Sequence, residues 1–85
     1  MSGQADNLAI IISRFGVSPE EANIYLHLIQ YPDSTALQIS RKNNLSRTKV
    51  YRLLDNLSNL GLVRQKLDNR GLRFSSSPPE KLYQL

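Results

Sequence analysis

The stretch LSRTKVYRLLDNLSNLGLVRQKLDNRGLRFS, from Leu45 to Ser75, decides how this 85-residue chain is read. Val50, Leu53, Leu54, Leu57 and Leu60 recur at spacings of three and four, which predicts one buried stripe on a helix over 46–60. Ser46 caps its start, since a short hydroxyl accepts a hydrogen bond from the free amides of a first turn. At about 100° per residue, Thr48, Arg52, Asp55 and Asn59 point away from that stripe, with Lys49 and Tyr51 at its flanks and Arg47 at its leading end. Gly61 is a stop signal. Val63, Gln65 and Leu67 then alternate with Arg64 and Lys66, Asp68-Asn69-Arg70-Gly71 has turn chemistry, and Leu72 and Phe74 alternate with Arg73. This predicts a hairpin over 62–75 with an apolar side on the core and a basic side in solvent. So small a hairpin must pack on helices to be stable.

Upstream, Thr35-Ala36-Leu37-Gln38 has Thr at the cap and Gln three positions on, the reciprocal pattern of a capping box. It predicts a short helix to about Lys42, offering Ala36, Leu37 and Ile39 to the core. Asn43-Asn44 supplies a tight turn. A short bracing helix, a turn and a helix with a polar front constitute a helix-turn-helix. The hairpin after it makes the expected fold class mainly α with a small β-hairpin: a winged helix-turn-helix of three to four helices and a two-stranded wing. Two helices of an ordinary bundle would explain residues 35–60 alone, but give no reason for the hairpin.

Further helices are expected before this unit. Ser18-Pro19-Glu20-Glu21 is a second capping box, with Pro at the first helical position. Ala22, Tyr25, Leu26 and Ile29 form its main stripe. Ile24, Leu28 and Tyr31 form a second, which calls for cover by another helix or a partner subunit. Pro32 ends this helix. Leu8, Ile11, Ile12 and Phe15 mark a first helix over 8–15, stopped at Gly16. The expected organisation is a tail at 1–7, the winged domain at 8–77 and the start of a linking or dimerisation helix at 78–85.

Composition excludes several classes. With no Cys there is no disulfide framework and no thiolate metal site. The single His, His27, falls on the polar side of its helix and is expected to be solvated or to face a partner. No Ser-His-Asp order, phosphate-binding glycine loop or paired carboxylates occur, so no enzyme, cofactor or metal is expected. No apolar run approaches the ~20 residues of a membrane span, and no signal peptide is evident, so a cytoplasmic protein is expected.

Charge is uneven along the chain. Residues 1–40 carry −3, whereas residues 41–73 carry nine cations against Asp55 and Asp68, a local +7, within an overall +4. That asymmetry suits a nucleic-acid face, and equally a solvated basic surface. The helix-turn-helix favours the former. The residues expected to face DNA are Thr35, Ser46, Arg47, Thr48, Lys49, Tyr51 and Arg52 from the helices, and Lys66, Asn69, Arg70 and Arg73 from the wing. Arg52 is the best candidate for a base edge, since guanidinium matches the O6/N7 edge of guanine. Ser46 is expected to act first as a cap. Tyr51 fits either a phosphate or thymine methyl, or packing on the helix that begins at Pro19. The wing cations suit a phosphate backbone or a narrow minor groove, and would otherwise serve to block sheet aggregation. Arg41 and Lys42 complement a helix dipole as readily as they would a ligand.

The segment Phe15-Gly16-Val17-Ser18-Pro19-Glu20-Glu21-Ala22-Asn23-Ile24-Tyr25-Leu26 resembles the opening of the winged-helix domain of TrmB-like transcriptional regulators, which runs Leu-Gly-Leu-(Ser/Thr), then Glu-Ala and Tyr-Leu. Ser46-Arg47-Thr48-Lys49-Val50-Tyr51-Arg52-Leu53-Leu54 is similar to that family's recognition helix, with its Lys-Val-Tyr core. Gly61-Leu62-Val63 matches its helix exit, and Pro78-Pro79-Glu80 the lead-in to its next helix. The resemblance implies sequence-specific binding of double-stranded DNA, a homodimer, and a small-molecule effector held by a C-terminal sensor domain. This chain departs from the pattern by lacking that sensor region, and by being poorer in aromatic residues and proline after Leu67. Either an excised N-terminal part of a larger regulator or a minimal regulator is therefore expected, and the helix cut short at Glu80–Leu85 favours the former. The alternative is a protein-interaction module on the same fold, which an apolar recognition face would have favoured. RNA binding is a further rival, expected to prefer structured or single-stranded RNA.

Overall fold

The computed structural model describes residue 14 and residues 16–77, and the expected tail, the helix at 8–15 and the helix start at 78–85 lie outside the described residues. Among the described residues, three helices precede a two-stranded antiparallel sheet: α1 (Pro19–Gln30), α2 (Ala36–Asn43), α3 (Arg47–Asn59), β1 (Val63–Asp68) and β2 (Gly71–Ser76).

Each helix starts where a cap dictates. Ser18 Oγ accepts from the Glu21 amide at 3.1 Å while Glu21 Oε1 accepts from the Ser18 amide at 2.7 Å. Thr35 and Gln38 repeat this at 3.1 and 2.8 Å. Ser46 Oγ accepts from the Lys49 amide at 3.2 Å. Such caps satisfy amides that have no partner within their own helix, each worth about 1 kcal/mol. The turn into α3 is held by side chains as well. Asn44 adopts the left-handed conformation at φ 56°, Asn43 Nδ2 donates to the Ile39 carbonyl at 2.9 Å, and Ser40 Oγ donates to the Leu45 carbonyl. Gly61, at φ 77°, ends the third helix in a conformation that costs a side-chain-bearing residue more.

The core lies between the helices and the root of the wing. Ile24, Leu28, Ile39, Val50, Leu54 and Leu57 are fully buried, and Val63 and Phe74 join them from the strands. β2 is also bridged to the loop before α2: the Ser34 amide donates to the Phe74 carbonyl at 3.0 Å and the Phe74 amide to the Ser34 carbonyl at 2.8 Å. The wing root is pinned once more where the Tyr25 hydroxyl donates to the Ser77 carbonyl at 3.2 Å.

Several expectations are corrected. The two stripes of α1 are one face: Ala22, Ile24, Tyr25 and Leu28 are all buried within the domain, Leu26 lies half-buried at the rim, and Ile29 and Tyr31 are exposed. Ile24 and Leu28 lie on the same side of Tyr25 on the helical wheel, and both are fully buried within this chain. Leu37 is exposed because α2 turns Ala36 and Ile39 inward. Leu60 is exposed because α3 ends at Asn59 and Leu60 is its cap. Leu67, expected on the apolar side of the hairpin, is 78% exposed, since the wing there outruns the body of the domain. His27 is buried rather than solvated. Its Nε2 lies 3.2 Å from Ser34 Oγ, and that hydroxyl donates to the Tyr31 carbonyl at 2.6 Å. Ser34 has one proton to give, so Nε2 is the protonated ring nitrogen. Burial, and then the nearby Lys42 charge, lower the His27 pKa.

Candidate nucleic-acid interface

The exposed arc of α3 is set by its phase. Burying Val50, Leu53, Leu54 and Leu57 leaves Arg47, Thr48, Arg52, Asp55 and Asn59 in solvent. The arc is densest in cations at the N-terminal end, where the free amides and helix dipole also favour an anion. Thr35 and Ser46, both expected at this face, spend hydroxyl lone pairs on their caps.

Lys49 and Tyr51 bound the arc on either side. Lys49 Nζ lies 2.9 Å from Glu20 Oε2 in the first turn of α1. In the same first turn of α1, Glu21 Oε2 accepts from Asn56 Nδ2, so two consecutive acids grip α3 at positions two turns apart. Tyr51 meets Phe74 edge-on, with ring centroids 6.3 Å apart. It thus packs on the wing root.

The wing register pairs Val63 with Ser76, Gln65 with Phe74, Lys66 with Arg73, Leu67 with Leu72 and Asp68 with Gly71. Buried Val63 and Phe74 define the face turned to the core. By alternation Gln65, Leu67 and Leu72 share it, while Arg64, Lys66, Asp68 and Arg73 occupy the other. Lys66 is exposed there beside Arg64, a cation that shares its parity and was readable from the same period of two. Asn69 and Arg70 form the exposed turn, where the Arg70 amide donates to Asp68 Oδ1 at 2.9 Å. Arg73 is engaged internally. Its guanidinium lies 2.9 Å from Asp68 Oδ2 and 3.3 Å from Oδ1, with the side chain only 14% exposed. The Arg70 amide and the Arg73 guanidinium together hold the Asp68 pKa below its ordinary value. Arg70 itself stands 75% exposed, with a loose 3.9 Å approach to the same carboxylate.

The structure therefore sets Thr48 and Arg52 on one exposed arc of α3 with Arg47 exposed at its leading end, and leaves Asn69 and Arg70 at the tip of the wing. It places Lys66 on the wing's outer face and ties Lys49 and Arg73 to acids. Among the described residues no cluster of His, Asp or Glu is suited to a metal, and no helix is long and apolar enough to cross a membrane.

A capped helix-turn-helix braced by a third helix and followed by a two-stranded wing is the domain class of winged-helix transcription regulators. Solved structures share its shape. A MarR-family regulator from Silicibacter pomeroyi matches with a TM-score of 0.73 at 21% identity, over 94% of this chain and 56% of its own. YusO from Bacillus subtilis matches at 0.74 and 13%, over 93% and 59%. MepR of S. aureus, solved as a DNA complex, matches at 0.73 and 16%, over 95% and 72%. Identities this low speak for the fold, and the chain spans little more than half the length of the first two. No curated protein matches the sequence. The chain belongs to the TrmB family, described as sugar-specific transcriptional regulators, whose family model matches residues 12–84.

Proposed function

We propose that this domain binds double-stranded DNA in a sequence-specific manner as the DNA-reading part of a transcriptional regulator. The observation that carries the reading is the leading half of α3: Thr48 and Arg52 share a solvent-facing arc and Arg47 stands exposed at the capped helix N-terminus, with a basic hairpin beside it. A helix fits the major groove, roughly 12 Å wide, and its first turn reaches the base edges. Arg52 is assigned to a base edge. Arg47 and Thr48 are assigned to phosphate or base, and Ser46 and Thr35 to phosphate through hydroxyls that still have a proton to donate. Tyr51 is assigned to the sugar–phosphate edge nearest the wing. Asn69 and Arg70 at the tip, and Lys66 along the outer face, are assigned to the flanking backbone or minor groove. Lys49 joins them when it leaves Glu20.

The chain is proposed to act as a homodimer in the cytoplasm, with a small-molecule effector sensed by a region outside residues 8–77. Dimerisation gains some support from half-buried Leu26 and exposed Ile29, which adjoin on α1. Electrophoretic shift of mixed-sequence duplex DNA tests the reading against its rivals. Retardation of duplex but not of single-stranded or hairpin RNA is expected. Preference for RNA, or no retardation by either, would overturn it.

A further inference from the structure

The end of α1, the loop after it and α2 border an open cleft of about 790 Å³. None of the residues assigned to DNA lines it. Its volume falls in the range of small-molecule sites, roughly 300–1,000 Å³. Part of the lining is aromatic. The rings of His27 and Tyr31 lie 5.2 Å apart, tilted at 45°. His27 is buried and Tyr31 half exposed, so part of the Tyr31 ring is open to a ligand.

Another part is cationic. Arg41 and Lys42, both exposed in the last turn of α2, line the same cleft. Among the described residues neither forms an ion pair with an acid. Lys42 Nζ instead sits 5.6 Å from the centre of the Tyr31 ring, a contact that holds an exposed cation only weakly. Complementing the dipole of α2 accounts for a cation there, but not for the aromatic ring beneath it. Asp33 is the acid of the lining, and its Oδ1 accepts from Ser75 Oγ at 3.1 Å. The buried His27 ring is neutral at pH 7, so two cations outweigh one carboxylate. The floor is fixed before any ligand arrives. Ser34 Oγ joins His27 Nε2 to the Tyr31 carbonyl, and the Ser34 backbone is bridged to Phe74. A lining set in advance loses little freedom on binding.

We infer that this cleft takes a small organic anion built on a flat ring, in chemical class an aryl phosphomonoester: the ring lies against the exposed part of Tyr31, and Arg41 with Lys42 holds the phosphate. A guanidinium fork matches phosphate oxygens, and the flexible Lys42 amine leaves the Tyr31 ring to meet a full charge. A bare phosphate would use the cations alone and leave most of the cleft empty. An uncharged ring would use the aromatic lining alone. The inference does not depend on the reading of this chain as a duplex-DNA binder.

The test titrates the 85-residue chain, without DNA, with phenyl phosphate, inorganic phosphate and benzyl alcohol, followed by backbone amide NMR shifts. Saturable shifts are expected over Tyr31–Ser34 and at Arg41 and Lys42. Phenyl phosphate should bind about tenfold more tightly than inorganic phosphate, the effect of one stacked ring, and about tenfold more tightly than benzyl alcohol, the effect of the charge. Tyr31→Ala and Lys42→Ala should each remove most of that advantage, while Tyr31→Phe, which keeps the ring, retains it. Circular dichroism melts confirm folding. Lys42 is exposed and outside the core, so Lys42→Ala carries the test even where Tyr31→Ala fails to fold. Equal binding of phenyl phosphate and inorganic phosphate, shifts centred on Arg47–Arg52 instead, or undiminished affinity in Lys42→Ala overturns the inference, and each leaves the DNA-binding reading intact. The absence of any saturable shift overturns it too.

Discussion

Lys49 of the recognition helix and Glu20 of the first helix meet at 2.9 Å, so one cation at the leading end of α3 is held by an acid of its own chain. Both side chains are more than a third exposed, and such a pair contributes at most about 1 kcal/mol to stability. A phosphate competes readily for the lysine, because nothing else buries it. Glu20→Gln should therefore tighten duplex binding about two- to fivefold at low salt, an advantage that shrinks as salt screens it. Weaker binding by this variant at low salt would mean that Glu20 positions α3 rather than restraining Lys49.

The wing holds a second internal pair, Asp68 with Arg73, in which the carboxylate competes with any phosphate for the guanidinium. A double variant, Arg73→Ala with Asp68→Ala, conserves net charge. Its log affinity should fall with log salt as steeply as the wild type's. A slope shallower by about 1 would show that Arg73 neutralises a phosphate after all.

Arg52 and Lys66 separate reading from gripping. Arg52→Ala should cost about 1–3 kcal/mol on a selected site and relax preference at one base pair, whereas Lys66→Ala should weaken all duplexes alike. Competition between selected and scrambled duplexes measures both. Equal loss on every sequence for both variants would remove the base-reading role of Arg52.

Much of this architecture was legible in local sequence. Ser18, Thr35 and Ser46 each begin a helix where a hydroxyl followed by a helical pattern says one should start, and Gly61 ends one. Those signals act within four residues, so neighbours in the chain contain them. What escaped depends on distant partners. The bridge between Ser34 and Phe74, the ion pair between Glu20 and Lys49 and the contact between Tyr51 and Phe74 join segments far apart in sequence. Periodicity gave the correct parity for Leu67 but not its burial, because alternation says which face a residue occupies and not how far the body beneath extends. Leu37 and Leu60 illustrate the same gap at the edge and end of a helix. Charge alone did not show the pairing of Arg73: its cross-strand surroundings include Asp68, and the turn that closes the hairpin brings the two together.

His27 gives the fold a pH dependence. Its folded pKa lies below the ordinary 6.5 because burial and Lys42 disfavour the charged ring. The unfolded chain then binds more protons, so stability is complete above about pH 6.5 and falls as pH drops below it. Thermal melts at pH 7.5 and 5.5 should show a lower midpoint at the acidic pH, with a smaller difference in His27→Gln. An identical pH response in the variant would assign the effect to other groups.

The central claim is that α3 and the wing engage the phosphates of a double helix, and the salt dependence of duplex binding addresses it most directly. If about five side chains per subunit neutralise phosphates, log affinity falls against log salt with a slope of about −4 to −5. A slope near zero for duplex DNA would contradict the account.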